Sequence, residues 1–536
     1  MPAMAFRLLS VVSLYLATVA ASPTVTVHNG TLRGIHSAEW DQDFFLGIPY
    51  AQPPLDNLRF RWPQPIDQPY SGEQDATKYG YSCYQYGYNF NMSEDCLTLN
   101  VVRPAGYSNQ SLPVLVWIYG GGLYWGSSAD PQYNLSGIVN TASSSGQPFI
   151  GVSINYRPGV WGFLQNAQVL VEGSSNAGLL DQRMAMQWIK ENIASFGGDA
   201  SRITLWGESA GAQSIAYHMH SFDGRNDDLY HAAILESGST VGAQLEPLPF
   251  YNVAFENLTR TVGCWSAIDR LSCLRDLSSE ALYNSRYSLT WNPIVDGTFL
   301  TAYPSQLAAA GSFVKVPLLI GANTDEGISF SVRGLENETA LFNSLLTWRN
   351  YALSPPSIRK LLELYPNVPS EGVPYNDTSN TTYASYGSQW RRSAAIGGDM
   401  VMISGRRKMC EQYVSAGVQD VYSYRFDTPL WNASAPIGAK HFDNVMFSFQ
   451  NISGVLGPLP QYEHYRELST DIGRAYANFV AMHNPNGVVG LPEWPKYDVE
   501  EPKNVVLNAN GSWVEDDTWR KEAIDFINTI SRELLA

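Results

Sequence analysis

Residues 202–212 read Arg202-Ile203-Thr204-Leu205-Trp206-Gly207-Glu208-Ser209-Ala210-Gly211-Ala212. An apolar stretch, 203–206, runs into Gly-x-Ser-x-Gly and then into helix-forming residues up to His220. A serine in this pattern sits on a strand-to-helix turn so tight that small residues must flank it. Its hydroxyl then stands at the carboxyl edge of a sheet, with the N-terminus of the next helix behind it, where a developing oxyanion is stabilised. The pattern predicts a nucleophile at Ser209. A chance Gly-x-Ser-x-Gly in a loop is the competing reading, and the strand before and helix after argue against it.

Working outward, residues 114–118, 149–154, 203–206, 232–235, 316–320 and 421–426 read as short buried strands, most of them bounded by Gly, Pro or Asn. Residues 180–193 and 210–220 have helical spacing. Buried strands alternating with helices imply an α/β fold, a large and mostly parallel central sheet flanked by helices. Ligands bind such sheets at the carboxyl ends of the strands, where Ser209 emerges. Residues 335–415 have weak strand signals and Pro-rich breaks, and read as a helical insertion over the active site. Residues 519–535 read as an amphipathic helix on the outside. Nothing demands several folding units, so residues 22–536 are expected to form one domain.

A serine hydroxyl needs a base, and the base needs an acid to hold it. In α/β-hydrolases the chain order is Ser, then Asp or Glu, then His. His441, after the late strand, falls in the right place, whereas His218 and His220 lie on the helix after the serine and read as packing or surface residues. The strand 316–320 runs into Asp325-Glu326, and spacing leaves these two carboxylates as rivals, with a solvated acidic turn as the alternative to both. The run Tyr119-Gly120-Gly121-Gly122-Leu123-Tyr124 follows another strand. Its glycines permit positive φ angles and close backbone approach to a substrate oxygen. No Gly-Lys-Ser/Thr follows, which argues against a phosphate loop.

The formal charge of −16 disfavours nucleic acid and anionic membranes as partners. Hydrophobic content of 44% and charged content of 16% describe a globular chain. Arg7, an apolar run over 8–19 and Ala20-Ala21-Ser22 describe a secretory signal peptide over residues 1–21, too short to span a membrane comfortably. Cys83 and Cys96, and Cys264 and Cys273, fall in close pairs that disulfides easily close, and Cys410 is left as a buried thiol. No metal-ligand spacing accompanies them, so neither metal nor cofactor is expected. Sequons stand at Asn29, Asn91, Asn109, Asn134, Asn257, Asn337, Asn376, Asn380, Asn432, Asn451 and Asn510. A secreted, extracellular chain with N-linked glycans is the expectation.

The chain resembles the type-B carboxylesterase family, which holds cholinesterases, liver-type carboxylesterases and secreted fungal esterases and lipases. The resemblance rests on Ser93-Glu94-Asp95-Cys96-Leu97-Thr98-Leu99-Asn100, the Tyr119–Gly122 loop, Asn155-Tyr156-Arg157 and Gly178-Leu179-Leu180-Asp181-Gln182-Arg183. It continues through Phe196-Gly197-Gly198-Asp199, the Ser209 turn, Pro293-Ile294-Val295-Asp296-Gly297 and Asp325-Glu326-Gly327. It implies Ser209 as nucleophile, Glu326 rather than Asp325 as acid, His441 as base, and an oxyanion hole of Gly121, Gly122 and Ala210. It also implies disulfides Cys83–Cys96 and Cys264–Cys273, and buried pairs of Arg157 with Asp181 and of Glu94 with Arg59 or Arg61.

Three departures stand out. The Cys83–Cys96 loop is short and carries Tyr84, Tyr86, Tyr88 and Phe90 with no tryptophan, which argues against choline esters and against an interface-activated lid. Asn444 stands where relatives often place an acid, with Asp443 one position earlier. The expected activity is hydrolysis of short- to medium-chain esters through an acyl-enzyme. A triacylglycerol lipase or sterol esterase is the alternative, and a non-catalytic adhesion protein a more distant one.

Overall fold

The computed structural model describes residues 22–87, 90–108, 110–286, 291–375, 384–430, 433, 437–450 and 462–536. The expected leader, Tyr88, and the sequons at Asn109, Asn376, Asn380, Asn432 and Asn451 lie outside the described residues. In chain order the first strands are β1 (Thr24–Val27), β2 (Gly30–Arg33), β3 (Ile35–Ser37), β4 (Gln42–Pro49), β5 (Glu73–Asp75), β6 (Thr98–Pro104) and β7 (Leu112–Ile118). Then come β8 (Ile150–Ile154), β9 (Gly198–Glu208), β10 (Ala232–Glu236), β11 (Leu318–Asn323), β12 (Val421–Phe426), β13 (Lys503–Leu507) and β14 (Trp513–Asp516).

An 11-stranded sheet runs in the order β14-β13-β12-β11-β10-β9-β7-β8-β6-β4-β3, and β1, β2 and β5 form a small separate sheet. From β8 across to β13 every neighbouring pair is parallel. The strands β7, β8 and β10 are buried along their whole length, so they need cover on both faces and read as unbroken apolar runs. Helix Ala210–His220 packs on β7, β9 and β10, Glu463–Met482 on β7 and β9, and Ser404–Ser415 on β11 and β12.

The expectation of a mostly parallel sheet holds for this centre, but the β8-β6-β4-β3 end and the β13-β14 edge are antiparallel. The strand β6 escaped the hydrophobic pattern because Asn100 and Arg103 interrupt it. Both are buried and bonded within the fold, Asn100 to Ser128 and Ser153 and Arg103 to Asp43.

An aromatic knot ties the sheet to the segment after His441. Trp117 of β7 and Trp206 of β9 meet with ring centroids 4.5 Å apart, and Phe449 stacks on Trp206 at 4.4 Å. Each such pair adds about 0.5–1.5 kcal/mol beyond area burial. Over the sheet edge, the insertion contains helices Glu338–Thr347, Pro355–Leu364, Trp390–Gly398 and Ser404–Ser415, with a π-helical turn at Asp399–Ile403. Its apolar cluster of Leu341, Ile358, Leu361 and Ile396 also receives Ile527 and Leu534 from the C-terminus. The C-terminal helix is shorter than expected, Lys521–Thr529. Arg520 precedes it with φ +49° and ties its guanidinium to Asp399 at 2.6 Å.

Both expected disulfides are present, Cys83–Cys96 and Cys264–Cys273. Cys410 is a buried thiol that burial pushes up to about 12, consistent with an inert core cysteine. Asn29 is buried and its amide donates to Ile66 O, so that sequon is occupied by packing, while Asn91, Asn257, Asn337 and Asn510 are exposed.

Arg157 pairs with Asp181 at 2.7 Å in the core. Glu94 takes Arg59 at 2.8 Å, and Arg61 turns to Glu172 at 3.6 Å instead. Stripping one partner from a buried pair leaves a charge uncompensated. Asp181→Ala is therefore expected to cost about 3–5 kcal/mol in urea unfolding. Glu73→Ala, which removes an exposed partner of Arg33, should cost no more than about 1 kcal/mol.

Candidate active site

Ser209 follows β9 directly, with φ +55° and ψ −124°, and opens helix Ala210–His220. The turn packs so closely that only glycine fits two residues to either side of it. A Cβ on Gly211 would lie 2.0 Å from Ile118 O, and one on Gly207 would lie 2.6 Å from Gly211 C. Ser209 N–H donates to Glu236 O at 2.9 Å, so the end of β10 holds the turn. The Ser209 hydroxyl lies 2.9 Å from His441 Nε2, and His441 Nδ1 donates to Glu326 Oε2 at 2.6 Å.

Glu326 is fully buried and its other oxygen, Oε1, accepts from Asn323 N–H at 2.7 Å and from Ser237 Oγ–H at 2.5 Å. The two rival carboxylates are thereby separated. Asp325 points elsewhere and splints the histidine loop, accepting from Ala439 N–H at 2.9 Å and Tyr375 N–H at 2.8 Å. Burial pushes it up to about 7. His218 and His220 are buried, hydrogen-bonded to Gln182 and Ala216 O respectively, and lowered by burial, as packing residues should be.

Three positioning side chains escaped the sequence reading: Ser237, Asn323 and Glu236. Asn323, the last residue of β11, donates through Nδ2 to Lys440 O (2.7 Å) and Asn444 Oδ1 (3.0 Å), on either side of His441. Glu236, the last residue of β10, accepts from Asn444 Nδ2 (3.0 Å), Ser448 Oγ (3.2 Å) and Tyr476 Oη (2.5 Å). Asn444 thus lacks a charge of its own but is held by one. Asp443 closes back on Lys440. The available signal was a polar residue ending each apolar strand at the carboxyl edge.

Glu208 is 1% exposed, neither carboxylate oxygen has a hydrogen-bond partner among the described residues, and Oε1 lies 3.4 Å from His441 Nε2. Burial pushes Glu208 up to about 8 against the pull of His441. Burial draws the imidazole down, but Glu208 and then Glu326 outweigh it and raise His441 to about 9.

Gly121 and Gly122 have φ +92° and +66°, and neither N–H is engaged by another described residue. Their loop is braced by Tyr119, which stacks on Tyr156 at 4.3 Å and donates to its carbonyl at 2.6 Å. Two cavities open on Ser209 and share Gly122, Tyr124 and Phe330. One, about 350 Å³, is lined by Gly121, Phe90, Trp125, Tyr133, Glu208 and His441. The other, about 250 Å³, is lined by Ala210, Gln213, Gln244, Asn292, Trp348 and Arg349. The insertion therefore does reach the serine, through Trp348, Arg349, Val401 and Met402.

Of the Cys83–Cys96 aromatics, Phe90 lines the larger cavity, while Tyr84 stacks on Trp161 and Tyr86 on Tyr283. Trp125, from just past the glycine run, also lines that cavity.

Residues 21–527 match the model of the Carboxylesterase family. The chain is 32% identical to Lipase 4 of Diutina rugosa, over 97% of this chain and 98% of that one. It is also 32% identical to Secreted lipase 1 of Botryotinia fuckeliana, over 95% and 93%. The crystal structure of EstA from Aspergillus niger matches with a TM-score of 0.85 and 27% identity, over 96% of this chain and 99% of that one. The chain belongs to the carboxylesterase family and is a carboxylic ester hydrolase with the α/β-hydrolase fold.

Two outcomes follow from this geometry. Removing the Glu208 charge lowers the proton affinity of His441, so Glu208→Gln should move the acid limb of kcat/KM to lower pH. Glu236→Leu frees the segment carrying His441, and misplacement on this scale should lower kcat by about 10- to 100-fold with KM little changed.

Proposed function

We propose that this protein is a secreted serine carboxylesterase that hydrolyses short- to medium-chain esters through an acyl-enzyme. The observation that carries the reading is the Glu326–His441–Ser209 relay, with contacts of 2.6 and 2.9 Å. Ser209 Oγ attacks the ester carbonyl and its proton passes to His441 Nε2. Glu326 holds the ring by Nδ1 and stabilises the imidazolium as it forms. The oxyanion is received by the N–H groups of Gly121, Gly122 and Ala210, each worth on the order of 3 kcal/mol. His441 returns the proton to the leaving alcohol, then activates a water that releases the acid.

The size of the cavities supports small substrates. At about 250 Å³ and about 350 Å³ they sit at or below the lower end of ordinary ligand pockets, about 300–1,000 Å³. Residues 22–536 act as one hydrolase unit, released outside the cell after loss of residues 1–21, with glycans on exposed sequons such as Asn91 and Asn257. The names of the fungal relatives favour a second reading, a triacylglycerol lipase.

Ser209→Ala should abolish hydrolysis of p-nitrophenyl butyrate while leaving the circular dichroism spectrum unchanged, and retained turnover would remove the assignment. Glu326→Gln should damage kcat far more than Asp325→Asn. A series from acetate to palmitate, with and without an oil interface, separates the two readings. Activity concentrated on short chains in solution fits the esterase, and a jump at the interface on long chains fits the lipase.

A further inference from the structure

The two cavities are not equivalent, and the proton path says which part of an ester each receives. His441 must hand its proton to the departing oxygen, so the alcohol lies on the His441 side. The larger cavity contains His441 and the smaller one does not. On the serine-esterase reading, on which this inference rests, the smaller cavity is the acyl arm.

That arm is poorly suited to a plain alkyl chain. Beside Phe330, Val401 and Met402 it is lined by Gln213, Gln244, Asn292 and Arg349. Arg349 is 7% exposed, and among the described residues its guanidinium hydrogen-bonds to backbone carbonyls and to no carboxylate. It donates through Nη1 to Leu534 O and through Nη2 to Val241 O (2.8 Å) and Gly242 O (2.5 Å). A guanidinium has five N–H donors, so two, Nε–H among them, meet no acceptor among the described residues. The acid that acts on it, Glu246, is held by Asn350 Nδ2 at 2.5 Å and Gln244 Nε2 at 3.0 Å. Burial draws Arg349 down to about 10, which leaves it a cation at neutral pH.

The backbone there is unusual as well. Arg349, Asn350 and Tyr351 have φ of +48°, +52° and +63°, three successive left-handed residues without a glycine. Strain of this kind persists where surrounding structure enforces it. Here it holds the guanidinium against Trp348, 4.3 Å from the ring centroid, and both residues line the cavity. The opposite arm carries carboxylates, Asp130 and Glu208. The serine therefore sits between a cationic acyl arm and an acidic alcohol arm.

We propose that Arg349 makes this an esterase for short acyl groups bearing an acceptor oxygen near their far end, a carboxylate or a carbonyl. Such an oxygen takes up the donors that a methylene leaves empty. The chemistry at Ser209 is unchanged.

The test follows hydrolysis of ethyl pentanoate, ethyl 4-oxopentanoate and monoethyl succinate by pH-stat on the full-length protein. Each rate is divided by that ester's rate in alkali. The keto ester or the half-ester should exceed ethyl pentanoate in kcat/KM by ~10-fold or more, as expected for a hydrogen bond to a charged group. Preference for the half-ester assigns the carboxylate, and preference for the keto ester assigns the carbonyl. Arg349→Met should remove the preference. Because that change also frees three carbonyls, competitive inhibition of the unaltered enzyme gives a second reading, with succinate or 4-oxopentanoate expected to bind more tightly than pentanoate. Equal or faster turnover of ethyl pentanoate overturns the proposal, as does a preference that survives in folded Arg349→Met. Turnover of none of the three would instead strike the serine-esterase reading.

Discussion

Glu326 is an anion-forming group with no exposed surface, and three separate elements bring it donors. His441 arrives from the loop after β12, Ser237 from the end of β10, and Asn323 from the end of its own strand, β11. Withdrawing a carboxylate from water is costly unless each lone pair finds a partner, and charge-assisted hydrogen bonds are the strongest available. The site is therefore organised around that requirement. The same Asn323 that satisfies Glu326 also grips Lys440 O and Asn444, so Glu326 and His441 share one scaffold. Ser209 joins it through the carbonyl of Glu236. A parallel sheet makes this possible, because β9, β10 and β11 all end at one edge.

Around that scaffold the charges are unevenly distributed. Glu208, Glu236 and Glu326 are all buried near the serine. Among the described residues Glu236 is tied to three neutral donors, whereas Glu208 has no hydrogen-bond partner and answers to His441 across 3.4 Å. The imidazole is consequently pulled toward its protonated form. On the proposed mechanism, an imidazolium held between carboxylates is the state His441 reaches when Ser209 loses its proton. Arg349, of opposite sign, lines the other cavity.

Much of this was legible from local pattern. The Ser209 turn could be read because a strand period, two glycines and a helix period follow one another without a gap. The bounds of β12 and of helix Ala210–His220 agree with the reading. Asp325 and Glu326 could not be separated on spacing, because adjacent residues in a turn differ in direction and direction is set by what they meet. The strand β6 was hidden by Asn100 and Arg103, polar residues whose partners lie on other elements. Glu236 and Asn323 looked like ordinary strand ends, and Trp125 like a residue just past a glycine loop.

What the amino-acid sequence determined on its own was therefore everything that rests on short-range periodicity and backbone sterics. That covers the strand–serine–helix turn, the glycine loop, the alternating α/β order and the position of His441 after the late strand. What tertiary structure decided was partnership. It chose Glu326 over Asp325, placed Glu236 behind Asn444, brought Trp125 into the cavity and set Arg349 against the serine's other side. Partnership depends on residues hundreds of positions apart, and those meet only when the sheet gathers its strand ends along one edge.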